Sequence, residues 1–187
     1  MNSKQYDKRE KVLRKLTVER ANLGKAGEFL VAGKLLLNGF NVYNGAIDDG
    51  IDLVARKRRK FYYIQVKTCQ DIDYDSGKFM AKINLSTLSK YPHKNTFVVL
   101  VLHFLGPTTS LDFMGDHTKY DQDYIVLPVN KLISFFQKET GDITFRIYYS
   151  ILMDLPQNTH WIAKLKYNKR ELILDDFMLD SFWQIEI

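Results

Sequence analysis

Two strand-like runs joined by a basic stretch constrain the fold of this chain more than any other feature. Residues 51–57 and 61–68 are rich in β-branched and aromatic side chains, which favour strands. If Arg58 and Arg59 form a two-residue turn, the runs pair as an antiparallel hairpin with Lys57 opposite Lys60. A three-residue turn or a bulge would shift the pairing by one residue. The sequence therefore predicts a hairpin here and offers one preferred register.

In this register the two faces of the hairpin differ in chemistry. One face is continuously apolar and consists of Ile51, Leu53, Ala55, Tyr62, Ile64 and Val66. The other face places Asp52 opposite Gln65 at the end away from the turn. Opposed side chains have Cβ atoms about 4.5–5.5 Å apart, so one cation can contact both residues. Lys67 is two residues from Gln65 and projects from the same face. The alternative is that Asp52 only serves the turn that contains Gly50.

The rest of the chain predicts helices and strands around this hairpin. Residues 22–38 predict a helix with Asn22 as N-cap and Gly39 as the left-handed residue after it. Apolar side chains cover most of its circumference, so we expect it to pack across a sheet. Further strands are predicted over residues 41–47, 79–83, 97–104, 124–129, 144–151, 161–166 and 182–187, and shorter helices over 85–91 and 131–139. Together these elements predict an α/β fold, or α+β on a stricter definition. We expect a mixed central sheet with the 22–38 helix on one face and the later helices on the other.

The net charge of the chain comes entirely from its first 25 residues. The chain has 27 Lys and Arg against 22 Asp and Glu, a formal charge of +5. Residues 1–25 hold eight basic and three acidic side chains, so residues 26–187 are formally neutral. A basic arm favours a polyanionic partner through phosphate attraction and counterion release, and a solvated surface helix is the open alternative. We divide the chain into a basic arm, residues 1–20, and a single domain, residues 21–187.

Composition excludes several other classes of protein. The chain has one cysteine, Cys69, so it has no internal disulfide and fits a reducing compartment such as the cytoplasm. Its first residues lack the apolar stretch of a signal peptide, and no apolar run reaches the ~18 residues of a membrane span. It contains no GxGxxG, Walker A or GxSxG motif. These features argue against secreted, membrane, nucleotide-cofactor and serine-hydrolase classes.

A helix that bears an acid, followed by this hairpin, resembles the PD-(D/E)XK nuclease superfamily. The superfamily carries an Asp on the first strand of the hairpin and (D/E)-x-K on the second. The matching residues are Glu28, Asp52 and Gln65-Val66-Lys67. The Gly-Ile-Asp-Leu and Gln-x-Lys forms look most like Mrr-type restriction endonuclease domains, and they are also similar to Holliday-junction-resolvase-like domains. The chain departs from the pattern at Ile51, which replaces the proline, and at Gln65, where an acid is usual.

The resemblance implies a restriction-endonuclease-like fold and a metal-dependent nuclease that hydrolyses phosphodiester bonds, with DNA as the expected substrate in defence, restriction or recombination. It implies Mg²⁺, or Mn²⁺ in its place, held by Asp52, Gln65, Glu28 and the backbone carbonyl of Val66. Lys67 would orient the attacking water or neutralise charge that develops on the phosphate. Glu28 also has a simpler interpretation, as an acid favoured by the dipole in the first turn of a helix.

Two basic clusters and two alternative functions remain open. Arg56, Lys57, Arg58, Arg59 and Lys60 lie at the predicted hairpin tip and either contact a nucleic-acid backbone or only keep the tip soluble. Lys164, Lys166, Lys169 and Arg170 pose the same choice. The alternative functions are a nucleic-acid-binding module that cleaves weakly or not at all, and a subunit of a nuclease complex. A homodimer is expected by analogy with enzymes that cut both strands, and no membrane partner is expected.

Overall fold

The computed structural model describes residues 20–45, 50–70, 78–103, 122–135, 142–152, 155–165, 171–174 and 177. Nearly all of the basic arm, the predicted strand over residues 182–187 and most of the second basic cluster lie outside these residues. The division into an arm and a single domain therefore stays a prediction. None of the described helices is long and apolar enough to cross a membrane.

The described part of the chain contains three α-helices and nine strands. The helices are α1 (Arg20–Leu37), α2 (Leu85–Leu88) and α3 (Val129–Phe135). The strands are β1 (Asn41–Asn44), β2 (Leu53–Lys57), β3 (Lys60–Gln70), β4 (Lys78–Asn84), β5 (Thr96–His103), β6 (Gln122–Pro128), β7 (Asp142–Leu152), β8 (Leu155–Leu165) and β9 (Glu171–Ile173). A short 3₁₀ turn, His93–Asn95, leads into β5.

The strands form two sheets. The central sheet has the order β1-β2-β3-β5-β6, in which β3 and β5 are parallel and all other neighbours are antiparallel. The predicted α/β fold with a mixed central sheet and flanking helices is confirmed. A second sheet, β4-β7-β8-β9, is antiparallel throughout. Sequence periodicity predicted most of its strands but not the sheet, because a period of two does not say which strands pair.

Each face of the central sheet carries its own apolar cluster, and β5 contributes to both. Phe97, Val99 and Val101 belong to the cluster that includes Val31 and Leu35 of α1. The alternate β5 residues Val98, Leu100 and Leu102 belong to the cluster that includes apolar side chains of β4, α2 and α3. The predicted placement of α1 on one face and the later helices on the other is confirmed. So is the prediction that residues 97–104 form a strand covered on both faces.

Helix α1 packs across the sheet, but it buries one stripe and not its whole circumference. Leu23, Val31 and Leu35 are buried, while Phe29 is 63% exposed and Leu37 is 86% exposed. The prediction that the helix packs across a sheet is confirmed, and part of its apolar circumference stays exposed. Apolar composition alone does not say how much of a helix its neighbours cover.

The sequence predicted the C-terminal end of α1 correctly and its N-terminal end incorrectly. The helix already includes Arg20, so Asn22 lies inside it and is not its N-cap. The C-terminal end is as predicted. Gly39 has φ +78°, and its N–H donates to the carbonyl of Leu36 at 2.9 Å. The Phe40 N–H donates to the carbonyl of Leu35 at 3.1 Å, which completes the usual glycine-terminated helix end.

The β2–β3 hairpin has the predicted register. Lys57 pairs with Lys60 across a turn formed by Arg58 and Arg59, and Leu53 pairs with Ile64. The residues of the predicted apolar face that lie in the α1-side cluster are Leu53, Ala55, Tyr62, Ile64 and Val66. Ile51 is the exception, because it lies in the opposite cluster. The strand begins only at Leu53, so its alternation of side chains does not extend back to Ile51.

Candidate active site

Asp52 lies where the chain enters β2, and β3 holds both its backbone and its side chain. Its N–H donates to the carbonyl of Ile64 at 3.0 Å, and its Oδ2 accepts from the N–H of Val66 at 2.6 Å. Burial raises the pKa of the half-buried Asp52 carboxyl, although the Val66 hydrogen bond and the charge of Lys67 act in the opposite direction. The environment of Asp52 is therefore one in which a nearby cation stabilises the ionised carboxylate.

Gln65 is almost fully buried, at 4% exposure, and its amide is anchored at one end only. Its Nε2 donates to the carbonyl of Gly50 at 2.9 Å, and this bond identifies which end of the amide is nitrogen. The other end, Oε1, is buried and finds no hydrogen-bond partner in the described part of the chain. An unpaired buried acceptor costs about 1–3 kcal/mol. The amide thus presents an unsatisfied oxygen of the kind that hard cations bind.

The backbone of Val66 contributes a second group on the same side of β3 as Asp52. In an extended strand the N–H and the carbonyl of one residue point to the same side. The N–H of Val66 donates to the Asp52 carboxylate. The Val66 carbonyl oxygen therefore faces that side too, beyond the last β2 pair, Leu53 with Ile64.

Glu28 and Lys25 bring charges from α1 to the same place. The negative charge of Glu28 raises the pKa of Asp52, and the positive charge of Lys25 lowers it. Glu28 is itself paired with Lys25, whose Nζ lies 2.5 Å from its Oε2. Glu28 lies two turns into α1, so its interpretation as a first-turn acid is wrong. Lys25 was missed, although its spacing of three residues from Glu28 is the spacing of a helical ion pair.

A glycine allows α1 to approach β3 next to these residues. A Cβ atom on Gly27 would overlap the hydroxyl of Thr68, one residue after Lys67. Gly27 is buried, and the Thr68 Oγ1 has no hydrogen-bond partner among the described residues. The close contact brings the turn of α1 that carries Glu28 against the end of the Gln-x-Lys segment.

Helix α2 supports the anchor of Gln65 from behind. Gly50 has φ +90°, and a Cβ atom there would lie 2.5 Å from Cγ2 of Thr87. Thr87 is itself held by Asn84, whose Oδ1 accepts the Thr87 N–H at 3.0 Å. The α2 turn therefore packs against the residue whose carbonyl orients Gln65. Local sequence pattern carries no signal for this contact, because it joins residues far apart in the chain.

The described oxygen donors suit Mg²⁺ better than a transition metal. They are the carboxylates of Asp52 and Glu28, the Gln65 amide and the Val66 carbonyl. The part of the chain that the structure describes contains no group of three His, Cys, Asp or Glu side chains that could hold a metal. Mg²⁺ accepts oxygen ligands of this kind and keeps several waters, so it needs few protein ligands. The orphaned Gln65 oxygen fits such an ion.

The predicted basic tip lies at the far end of the hairpin from Asp52. Residues 58–60 are exposed, and Lys57 is partly buried with its Nζ 4.8 Å from the centre of the Phe40 ring. At the rise of a strand, the turn is about 17–20 Å from the Asp52 end. The hairpin thus separates the carboxylate and amide oxygens from the basic cluster.

Comparisons with known proteins find similarity only among solved structures. No protein-family model matches the sequence, and no curated protein matches it. A bacterial homing endonuclease, I-Ssp6803I, is 13% identical, with 90% of this chain and 95% of that chain covered and a TM-score of 0.49. Hjc of Archaeoglobus fulgidus, a Holliday junction resolvase, is 15% identical, with 65% of this chain and 81% of that chain covered and a TM-score of 0.41.

The order of elements agrees with the resemblance stated from the motif. Helix α1 carries Glu28, Asp52 leads into β2, and β3 carries Gln65 and Lys67 within a mixed sheet flanked by helices.

Proposed function

We propose that this chain is a divalent-metal-dependent nuclease that hydrolyses phosphodiester bonds, with DNA as the expected substrate. The observation that carries the proposal is the state of Gln65. Its amide is buried and fixed by Gly50, and its oxygen, two residues before Lys67, has no hydrogen-bond partner among the residues that the structure describes. Most buried side-chain polar atoms have at least one hydrogen-bond partner, so an unpaired one calls for an explanation. Gln65 precedes Val66, whose N–H binds the half-buried Asp52 carboxylate, and amide and carboxylate oxygens are ligands that Mg²⁺ accepts.

Asp52, Gln65, Glu28 and the Val66 carbonyl would hold Mg²⁺ or Mn²⁺. When bound, such an ion lowers the pKa of a coordinated water and stabilises negative charge on the scissile phosphate. Asp52 gains more from a nearby cation than an exposed aspartate does, because burial disfavours its unneutralised charge. The hydrogen bond from Val66 fixes one carboxylate oxygen, so the orientation of Asp52 is set before any ion arrives.

Lys67 and Glu28 would complete the reaction site. Lys67 lowers the pKa of Asp52, which means that its ammonium charge acts on this carboxylate. In the proposed reaction it orients the attacking water or neutralises charge that develops on the phosphate. Glu28 is held by Lys25, and this pairing would aim its carboxylate.

A nucleic-acid-binding module or nuclease subunit that cleaves weakly or not at all is the second candidate. The observation that favours it is also Gln65, because a neutral amide is a weaker ligand for a hard cation than a carboxylate. A homodimer, a cytoplasmic location and a role in defence, restriction or recombination stay predictions from the sequence.

A cleavage assay tests the proposal. The purified chain is incubated with supercoiled, linear, single-stranded and branched DNA, and with RNA, in Mg²⁺, Mn²⁺ or EDTA. We expect metal-dependent cleavage that is lost in Asp52→Asn and in Lys67→Met, because Asp52→Asn keeps an acceptor for the Val66 N–H but removes the charge. Lys94→Gln, an exposed lysine outside the site, is the control. Cleavage that survives both site substitutions contradicts the proposed site. DNA binding without cleavage by the wild-type chain favours the second candidate.

A further inference from the structure

The tip of the β2–β3 hairpin forms a cationic cleft. The cleft has a volume of about 360 Å³, and its lining residues are Lys57, Arg58, Arg59, Lys60 and Tyr62. None of these five side chains is acidic. We call this feature the tip cleft. Four cations around one concave surface give a local positive potential that favours an anionic ligand.

The turn at the tip has arginines at positions where other residues would stabilise the turn better. Two-residue hairpin turns prefer Asn-Gly or a leading glycine, since these residues accept positive φ. Here Arg58 occupies the left-handed region at φ 55°. A residue with a long side chain is uncommon in that conformation, which glycine adopts without strain. The turn thus carries two adjacent positive charges in place of the residues that best stabilise it.

Part of the tip cleft is held in place before any ligand binds. Lys57 lies over the Phe40 ring, with its Nζ 4.8 Å from the ring centre. The Phe40 and Tyr62 rings meet edge to face at 5.7 Å, and both residues are buried. Since these rings are covered, they do not offer free faces on which a base could stack. The ligand chemistry that the cleft favours is therefore a phosphate group and not a base.

We propose that the tip cleft is a second contact site for nucleic acid, which binds a backbone phosphate about 17–20 Å from the Asp52 end of the hairpin. The inference rests on the proposed function for the identity of the polyanion. At about 3.4 Å per nucleotide, a nucleic acid that reaches both ends extends over at least five or six nucleotides. Contacts of this kind add affinity without reading sequence.

Binding measured without cleavage tests this site. The anisotropy of a fluorescein-labelled DNA duplex of about 20 base pairs is followed in EDTA, between about 50 and 200 mM salt. The test variant is Arg58→Asn with Arg59→Gly, which removes two charges and installs a preferred turn. We expect the Kd to rise roughly tenfold and the dependence of log K on log salt to become less steep by about two, equally for duplexes of different sequence. Lys60→Gln, outside the turn, should act in the same direction with about half the change in slope.

The matched control removes two exposed lysines on the other side of the sheet, in Lys94→Gln with Lys131→Gln. Lys131 lies on α3, whose buried residues belong to the cluster opposite α1. If this control weakened DNA binding as much as the tip variant does, the proposal would be overturned. Unchanged DNA binding in both tip variants would overturn it too. Phosphatidylserine vesicles serve as a second anionic ligand, and tip variants that lose binding to these vesicles but keep their DNA binding would also overturn the proposal. The assay contains no metal, so absence of cleavage by the wild-type chain overturns the proposed function and leaves the outcome for the tip cleft separate.

Discussion

The two ends of the β2–β3 hairpin carry groups of opposite charge in different environments. At the Asp52 end, groups with negative or partial negative charge are buried, and hydrogen bonds from Val66 and to Gly50 orient them. At the tip, positive charges are exposed on a turn whose Arg58 has φ 55°. Among the described residues, the buried end has an oxygen without a hydrogen-bond partner, and the exposed end has several cationic side chains in contact with water. One end therefore suits a cation, and the other suits an anion.

This contrast teaches that position along a strand pair decides how strongly charge acts. A carboxylate at a half-buried site interacts with a cation through a lower effective dielectric than an exposed side chain does. Exposed lysines and arginines act through screened, long-range attraction, which salt weakens. We therefore expect chemistry at the Asp52 end and affinity at the tip.

The largest expected effect separates rate from affinity. Asp52→Asn should lower the single-turnover cleavage rate at saturating protein on the order of 10³-fold, because it removes the charged ligand that would hold the metal ion beside the reacting phosphate. The tip variant, Arg58→Asn with Arg59→Gly, should instead raise the protein concentration needed for the half-maximal rate roughly tenfold. Both are read from single-turnover kinetics over a range of concentrations. A fall in the saturated rate of the tip variant as large as that of Asp52→Asn would break the contrast.

A substitution at Gly27 tests whether the close contact between α1 and β3 stabilises the Asp52 end of the hairpin. Gly27→Ala should lower the free energy of unfolding by about 1–3 kcal/mol, since its Cβ would overlap the Thr68 hydroxyl. Gly24→Ala is the matched control on the same helix, because a Cβ there meets nothing within 4 Å. Alanine should stabilise that position by roughly 0.5–1 kcal/mol. Urea unfolding in EDTA measures both, and adding Thr68→Ala to Gly27→Ala should recover part of the loss. Equal effects at the two glycines would contradict the tight contact.

Gln65 tests whether the unpaired oxygen serves a metal. Gln65→Glu removes the donor to Gly50, so without metal it should lower the free energy of unfolding by about 1–3 kcal/mol. Because a carboxylate binds Mg²⁺ more strongly than an amide, added Mg²⁺ should shrink or reverse this difference. Thermal unfolding in EDTA and in Mg²⁺ measures it. Gln65→Met is the control, and its destabilisation should not depend on Mg²⁺. If Mg²⁺ changed the stability of neither the wild-type chain nor Gln65→Glu, a metal at this end would be excluded.

The smallest expected effect is a pH dependence that the exposed tip should lack. Burial raises the pKa of Asp52, so the folded chain binds this proton more tightly than the unfolded chain does. The stability that Asp52 contributes is present below its unfolded pKa and is lost as pH rises through its folded pKa. In EDTA, the stability of the wild-type chain relative to Asp52→Asn should therefore fall across this window and then level off. Urea unfolding from about pH 3 to pH 7 measures the difference, and a rise with pH would contradict the burial of this carboxyl.

Much of the hairpin and the sheet could be read from the sequence, because local patterns specify them. The two-residue turn at Arg58 and Arg59 set the register, and alternation then assigned Leu53 and Ile64 to one face. Gly39 ended α1 as its conformational freedom predicts. The alternation failed at Ile51, since the strand had not yet begun there. The exposure of Phe29 could not be read from the sequence, because it depends on neighbours that the helix pattern does not name.

The sequence by itself determined the hairpin register from Leu53 to Lys57 and the mixed α/β class, because each follows from periods and turns within a few residues. Only the tertiary structure decided the rest of the site. It paired Lys25 with Glu28 near Asp52 and packed Thr87 against Gly50. It also buried the Gln65 oxygen where no described residue offers it a hydrogen bond. Those outcomes depend on which distant segments meet and which solvent they exclude, and such long-range contacts leave no local period in the sequence.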